Sequence, residues 1–129
     1  IQLLQKSFNK VYIWPQGSGD IDYINQLELA KFAQILPPKL EAYNTLLLHE
    51  ESIDFVGTRL HAGVRALQNK KRTIILGIDN RAFEKVKDFN ITVCPRDDLA
   101  KLELLIKSNI STKINLPTEN ILRWKAQFK

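Results

Sequence analysis

The run Thr73-Ile74-Ile75-Leu76-Gly77-Ile78 constrains this chain more than any other feature of its sequence. It is apolar at nearly every consecutive position, so neither face of a strand built from it suits water. Strands covered on both faces belong to the interior of parallel sheets. The run has strand length, far short of the roughly 20 apolar residues that a membrane helix needs. A parallel neighbour requires a crossover connection, in most cases a helix. The rest of the chain must therefore supply strand–helix units.

It does so about five times. Val11-Tyr12-Ile13-Trp14 is β-branched and aromatic and closes at Pro15-Gln16-Gly17-Ser18-Gly19, which predicts a strand and a turn. Asp20 or Asp22 can cap a helix carrying Ile24, Leu27, Leu29 and Phe32 at roughly helical spacing. Ile35-Leu36 forms a second short strand, and Pro38 opens a helix bearing Leu40, Tyr43, Leu47 and Leu48. Ile53-Asp54-Phe55-Val56 is a buried strand ending at Gly57, followed by a helix from about Arg59 to Gln68, which Lys70-Lys71-Arg72 interrupts. After the central run, Asp79-Asn80 caps a helix from Arg81 to Phe89, and Ile91-Thr92-Val93-Cys94 is a last strand. Asp97 or Asp98 caps Leu99 to Lys107, and an amphipathic helix follows Pro117. The expected fold is α/β: a single Rossmann-like domain over residues 1–129, with an open parallel sheet and helices on both faces.

Composition supports one ordinary core. The chain has 129 residues, 44% hydrophobic and 26% charged, which argues against wholesale disorder. The one cysteine, Cys94, excludes an internal disulfide framework and a cysteine-based zinc site, and a reducing, cytoplasmic setting is expected. The chain opens at Ile1 and holds no methionine, so it reads as a piece of a longer protein. Its net charge of +5 is uneven: residues 1–54 hold four Lys/Arg against seven Asp/Glu, residues 55–129 fifteen against seven. Positive charge attracts phosphate, carboxylate or nucleic acid. Thirteen of the nineteen basic residues are scattered lysines, which read as a solvated surface, and this leaves the arginines as the informative cations.

In open parallel sheets ligands bind outside the carboxyl ends of the strands. That rule selects Pro15 to Asp20, Pro37-Pro38, Gly57 to His61, and Ile78 to Arg81. Gly57-Thr58-Arg59-Leu60-His61-Ala62-Gly63 is the richest of these stretches. Gly57 lets the backbone turn or approach a ligand, Thr58 can cap the helix, and the first free N–H groups of that helix favour an anion. Arg59 adds a planar fork of donors suited to phosphate or carboxylate, and His61 can donate a proton near neutral pH. Leu60, Val64 and Leu67 would face the sheet, leaving His61 and Arg65, four apart, able to share one anion. Gly63 would let the helix sit close to a strand. The plainer reading pairs Arg59 with Asp54 and leaves His61 bonded to a carbonyl.

Asp79-Asn80-Arg81 is a second polar cluster. Arg81 could bind an anion and Asp79 or Glu84 could accept a proton; equally, Asp79 or Asn80 caps the helix and Glu84 is solvated. The stretch Pro15 to Asp20 lacks a GxGxxG and a Walker lysine, so it is a plain turn in which Gln16 could touch a ligand. His49 and His61 have no paired metal-ligand spacing, so no metal and no cofactor are expected. Cys94 reads as a buried small hydrophobe, and Trp14 and Trp124 as core or interface residues.

From Asp54 to Leu67, and most distinctively at Arg59-Leu60-His61, the sequence resembles the polysaccharide pyruvyl transferase family. The resemblance spans Val11 to about Val93. It implies the C-terminal half of a GT-B-like two-domain enzyme, with the active site in the cleft facing an N-terminal domain absent from this chain. It also implies transfer of pyruvate from phosphoenolpyruvate to a sugar of a cell-surface polysaccharide or its precursor, forming a ketal. Arg59 takes the place of the family arginine that contacts phosphoenolpyruvate and His61 that of its companion histidine; Gly57, Thr58, Leu60, Arg65, Asp79, Asn80, Arg81 and Gln16 complete the expected substrate-binding set. Lys70-Lys71-Arg72 departs from the apolar or proline-containing link of many members, and Asp79-Asn80-Arg81 matches only the general position of a polar loop. This domain alone is expected to be inactive. The alternatives are a GT-B glycosyltransferase domain holding a nucleotide-sugar diphosphate, and a non-catalytic basic module; for the second no nucleic-acid reading motif is present.

Overall fold

Strand and helix alternate along the chain, but no one sheet collects the five strands: they divide between two small parallel sheets. The computed structural model describes residues 1–88 and 90–128, and the chain splits into two compact units, Ile1–Glu51 and Ser52–Lys129.

The first unit runs α1 (Gln2–Ser7), β1 (Tyr12–Ile13), α2 (Ser18–Gln26), a 3-10 turn (Leu29–Lys31), β2 (Gln34–Ile35) and α3 (Leu40–His49). β1 and β2 pair in parallel, Tyr12 opposite Gln34 and Ile13 opposite Ile35. At the entry to α2 the Asp20 carboxylate accepts from the Gln16 and Gly17 N–H groups at 2.8 and 3.1 Å. Asp20 thus sits inside the first turn, and Gly17 takes the cap position expected of an aspartate. The helix expected to reach Phe32 stops at Gln26. Glu28 adopts the left-handed conformation (φ 50°), which ends helical hydrogen bonding, and Leu27 and Phe32 stay exposed. Ile24, Tyr43, Leu47 and Pro15 form the buried centre. Trp14 stacks on Tyr43 with ring centroids 4.2 Å apart, and its indole N–H donates to the Lys39 carbonyl at 3.2 Å, which makes it part of this packing.

The second unit runs β3 (Asp54–Gly57), α4 (Leu60–Gln68), β4 (Arg72–Gly77), α5 (Asn80–Asp88), β5 (Val93–Pro95), α6 (Leu99–Lys107) and α7 (Thr118–Ala126). The expected end of α5, Phe89, lies outside the described residues. β4 is central in the order β3-β4-β5, with Phe55 opposite Thr73, Gly57 opposite Ile75 and Gly77 opposite Pro95. Thr73, Ile74 and Ile75 are almost wholly buried, as a strand covered on both faces must be.

Alternation along the strands puts Phe55, Gly57, Thr73, Ile75, Gly77 and Val93 on one face. α4 packs there: a Cβ at Gly63 would stand 2.5 Å from Ile75 Cδ1 and 3.2 Å from Phe55 and Thr73. α5 packs there too, since a Cβ at Gly77 would meet the Phe83 ring at 2.5 Å. Two crossovers of one hand advancing in one direction must leave both helices on the same face. The residues of α4 that the sheet buries are Ala62, Gly63, Ala66 and Leu67. Leu60 and Val64, expected in that stripe, are only half-buried, because so close an approach admits only small side chains at its centre. α4 ends with Lys70 in the left-handed conformation (φ 58°), where Lys71 N–H donates to the Ala66 carbonyl and Lys70 N–H to the Leu67 carbonyl, both Schellman bonds.

Arg72 points to the other face. Its Nε and Nη2 donate to Asp54 Oδ2 at 2.8 and 2.5 Å, its Nη1 to the Ser108 carbonyl at 2.7 Å and its Nη2 to the Ile106 carbonyl at 2.8 Å. One guanidinium thereby joins the amino ends of β3 and β4 and satisfies carbonyls at the C-terminus of α6. Arg59 is therefore not the partner of Asp54. α6 lies across this second face with Leu102 and Ile106 buried, and the Asp98 carboxylate caps it by accepting from Lys101 N–H at 2.9 Å. Cys94 is fully buried in β5, and burial pushes its thiol pKa up. Among the described residues no helix is long and apolar enough to cross a membrane.

Gly63→Ala is expected to lower stability by about 1–3 kcal/mol, because its Cβ would displace the end of Ile75 while also crowding Phe55 and Thr73. Urea denaturation with an unchanged m-value checks this. Arg72→Met strands the Asp54 carboxylate and two carbonyls and is expected to cost about 2–4 kcal/mol. The double variant Asp54→Leu/Arg72→Met should recover part of that loss, since the uncompensated charge is gone.

Candidate functional site

The carboxyl edge of the three-stranded sheet gathers most of the residues that carry chemistry. β3 and β4 are neighbours, so the loops that leave them, Gly57 to Leu60 and Ile78 to Asn80, emerge about 5 Å apart. Gln16 is in the first unit, in the turn that follows β1.

Gly57 does not have a positive φ. The space its Cβ would fill is taken by the Phe55 ring, 2.9 Å away, and the same ring lies against Gly63. The glycine therefore accommodates packing rather than a left-handed turn. Thr58, expected as the helix cap, is exposed and makes no cap bond; Arg59 holds the cap position with extended backbone (φ −84°, ψ 101°). Its carbonyl accepts the Gly63 N–H at 3.1 Å, the first bond of the helix. The first amide groups of α4 thus remain without a side-chain cap, next to the exposed side chains of Arg59 and His61. His61 and Arg65 share the exposed side of α4, as their spacing requires, while Leu60 is half-buried at its border.

Asp79 closes the β4 loop. Its Oδ1 accepts the Arg81 N–H at 3.0 Å, and its Oδ2 accepts Nε and Nη2 of Arg81 at 2.9 and 2.7 Å. The Arg81 side-chain bonds, followed by its backbone bond, hold the Asp79 carboxyl below the usual carboxylate range. Asp79 in turn raises the Arg81 pKa. Asp79 therefore caps the start of α5 and engages the Arg81 fork at the same time. Asn80 is the exposed first residue of α5. Glu84 pairs with Lys87 at 2.9 Å on the exposed side of α5, which accounts for it as a solvated charge.

One residue of this edge, Arg96, is not singled out by the sequence reading. It follows β5, and its N–H donates to the Gly77 carbonyl at 3.1 Å, fixing its backbone beside the end of β4. Applying the carboxyl-end rule to the loop after the fifth strand would have found it. Among the described residues no group of three or more His, Cys, Asp or Glu is gathered where it could hold a metal. Chemically, the edge presents arginine forks, an exposed histidine and uncapped amides, which together suit a small anion.

The Asp79–Arg81 pair is expected to persist at neutral pH. A lowered folded-state pKa means its contribution is present above the ordinary carboxylate range and is lost as pH falls through the lowered value. NMR titration of the Asp79 carboxyl checks this: its midpoint should lie below the ordinary aspartate value and rise part of the way back in Arg81→Gln, which keeps the backbone bond.

Comparison with family models, with curated proteins and with solved structures returned no match. The functional reading of this edge therefore rests on its residues and their geometry.

Proposed function

We propose that this chain is the Rossmann-like C-terminal half of a GT-B-like polysaccharide pyruvyl transferase, with the carboxyl edge of β3-β4-β5 as its donor site. The reading is supported above all by one observation: Arg59 and His61 stand exposed at the uncapped start of α4, beside the loop that carries Asp79 and Arg81. Phosphoenolpyruvate carries a phosphate and a carboxylate and needs convergent cations. Arg59 takes one of these anionic groups, with the amides of α4 behind it. Arg65 adds positive charge along the same helix face. The acceptor is a saccharide, and the opposite wall of the cleft is a second domain. A cytoplasmic setting belongs to this reading.

Ketal formation proceeds in two additions. A sugar hydroxyl adds to C2 of phosphoenolpyruvate while a proton is delivered to C3, which becomes the methyl group. The C2–O bond to phosphate then breaks, the second hydroxyl adds to C2, and its proton leaves with inorganic phosphate. His61 acts as the acid at C3 or stabilises the departing phosphate.

NMR titration of this chain with phosphoenolpyruvate tests the donor site. Saturable shifts are expected at the Gly57 to Gly63 amides, the His61 ring and Ile78 to Arg81. Arg59→Gln should weaken binding about tenfold or more, the loss of a charge-assisted pair. Response to a nucleotide-sugar with none to phosphoenolpyruvate overturns this reading in favour of glycosyl transfer. In the full-length enzyme, His61→Gln should reduce turnover about 10²–10⁴-fold; unchanged turnover removes His61 from the chemistry.

A further inference from the structure

The helices of the second unit change face at one place. α5, which follows β4, packs on the face of Ile75 and Gly77, whereas α6, which follows β5, lies on the opposite face, where its end is held by Arg72. Chains leaving two adjacent parallel strands toward opposite faces open a crevice at the carboxyl edge between those strands, and ligands of open α/β sheets sit in such crevices. In this protein the crevice lies between the ends of β4 and β5. Its walls are the loop Ile78 to Asn80 and the loop Arg96 to Asp98.

The cations along these walls are not equivalent. The Arg81 fork is engaged by Asp79 through two bonds. Arg96 has its backbone pinned to Gly77, while its exposed guanidinium makes no hydrogen bond or ion pair among the described residues. Of the acids that follow it, Asp98 caps α6, and Asp97 forms no ion pair with it among the described residues. The β4 strand separates the ends of β3 and β5, so the backbones leading to Arg59 and Arg96 stand about 10 Å apart on either side of the end of β4.

We infer that Arg96 is a second anion-binding residue of this site, which with Arg59 brackets a small ligand bearing two anionic groups across the end of β4. The inference rests on the proposed donor site and adds to it the cation that takes the second anionic group of phosphoenolpyruvate. An arginine suits this task because its planar fork binds carboxylate or phosphate through two parallel bonds.

The test compares phosphoenolpyruvate binding to the wild-type chain and to Arg96→Gln, by NMR titration that includes the Arg96 Nε–H signal, with thermal unfolding of both. Arg96 Nε–H and the Arg96 to Asp98 amides are expected to shift saturably in the wild type. Arg96→Gln should raise the dissociation constant tenfold or more at an unchanged melting temperature, since its side chain holds nothing in the fold. Wild-type binding with the same dissociation constant in Arg96→Gln overturns the role of Arg96 and leaves the donor site standing. Absence of any wild-type shift at this edge overturns both. Equal weakening by Arg96→Gln and by Lys107→Gln, a distant exposed cation, overturns the role as well, because it reduces the effect to net charge.

Discussion

The seating of the Phe55 ring sets the geometry of the second unit. The ring fills the space beside Gly57 in its own strand and lies against Gly63 of the helix that follows, where the Ile75 side chain also reaches. A Cβ at Gly57 would collide with the ring, and one at Gly63 would collide with Ile75 and crowd the ring. The two glycines of the Gly57-to-Gly63 stretch are thus explained by one aromatic ring and a close helix-to-sheet approach. That approach decides where α4 begins, and with it the positions of Arg59 and His61 at the sheet edge. Dense packing transmits such constraints because interiors do not deform cheaply. The core beneath the candidate site and the site itself are therefore mechanically one object.

The two ends of the three-stranded sheet use arginine for different purposes. At the amino end, Arg72 is half-buried and its donors are spent on Asp54 and on the carbonyls of Ile106 and Ser108. It is structural, tying β3, β4 and α6 together. At the carboxyl end, Arg59, Arg81 and Arg96 are exposed. Arg81 is turned back on Asp79, and Arg96 makes no hydrogen bond or ion pair among the described residues. Partial burial with protein acceptors marks a structural arginine; exposure at a strand's carboxyl end marks a candidate for binding. Net charge and composition do not draw this distinction.

Much of the second unit was legible in the sequence. The central strand, the glycine at Gly63, the shared face of His61 and Arg65, and the caps by Asp79 and Asp98 all follow from local chemistry, and the structure has them. The cap assigned to Thr58 failed, because the chain reaches α4 with Arg59 in the cap position and Thr58 one residue too early. The long helix through Phe32 failed where Glu28 turns left-handed, a conformation that no residue type at that position announces. The plainer reading, with Arg59 as the partner of Asp54, fails because pairing across a sheet depends on register: Arg72 is directly opposite Asp54, 18 residues away in sequence.

Periodicity, turn residues and caps act within a few residues, and they sufficed to determine the alternation of strands and helices, the parallel character of the strands and the residues at their carboxyl ends. Three matters were settled only by tertiary structure: the division of five strands between two sheets, the side chains of β3 and β4 that α4 meets at Gly63, and the crossing of the chain to the second face after β5. Each depends on which distant surfaces exclude water from one another, and that burial is not encoded in any local pattern. Arg96 lies at a strand end that the sequence marks, but its place beside Gly77 exists only once β5 has paired with β4.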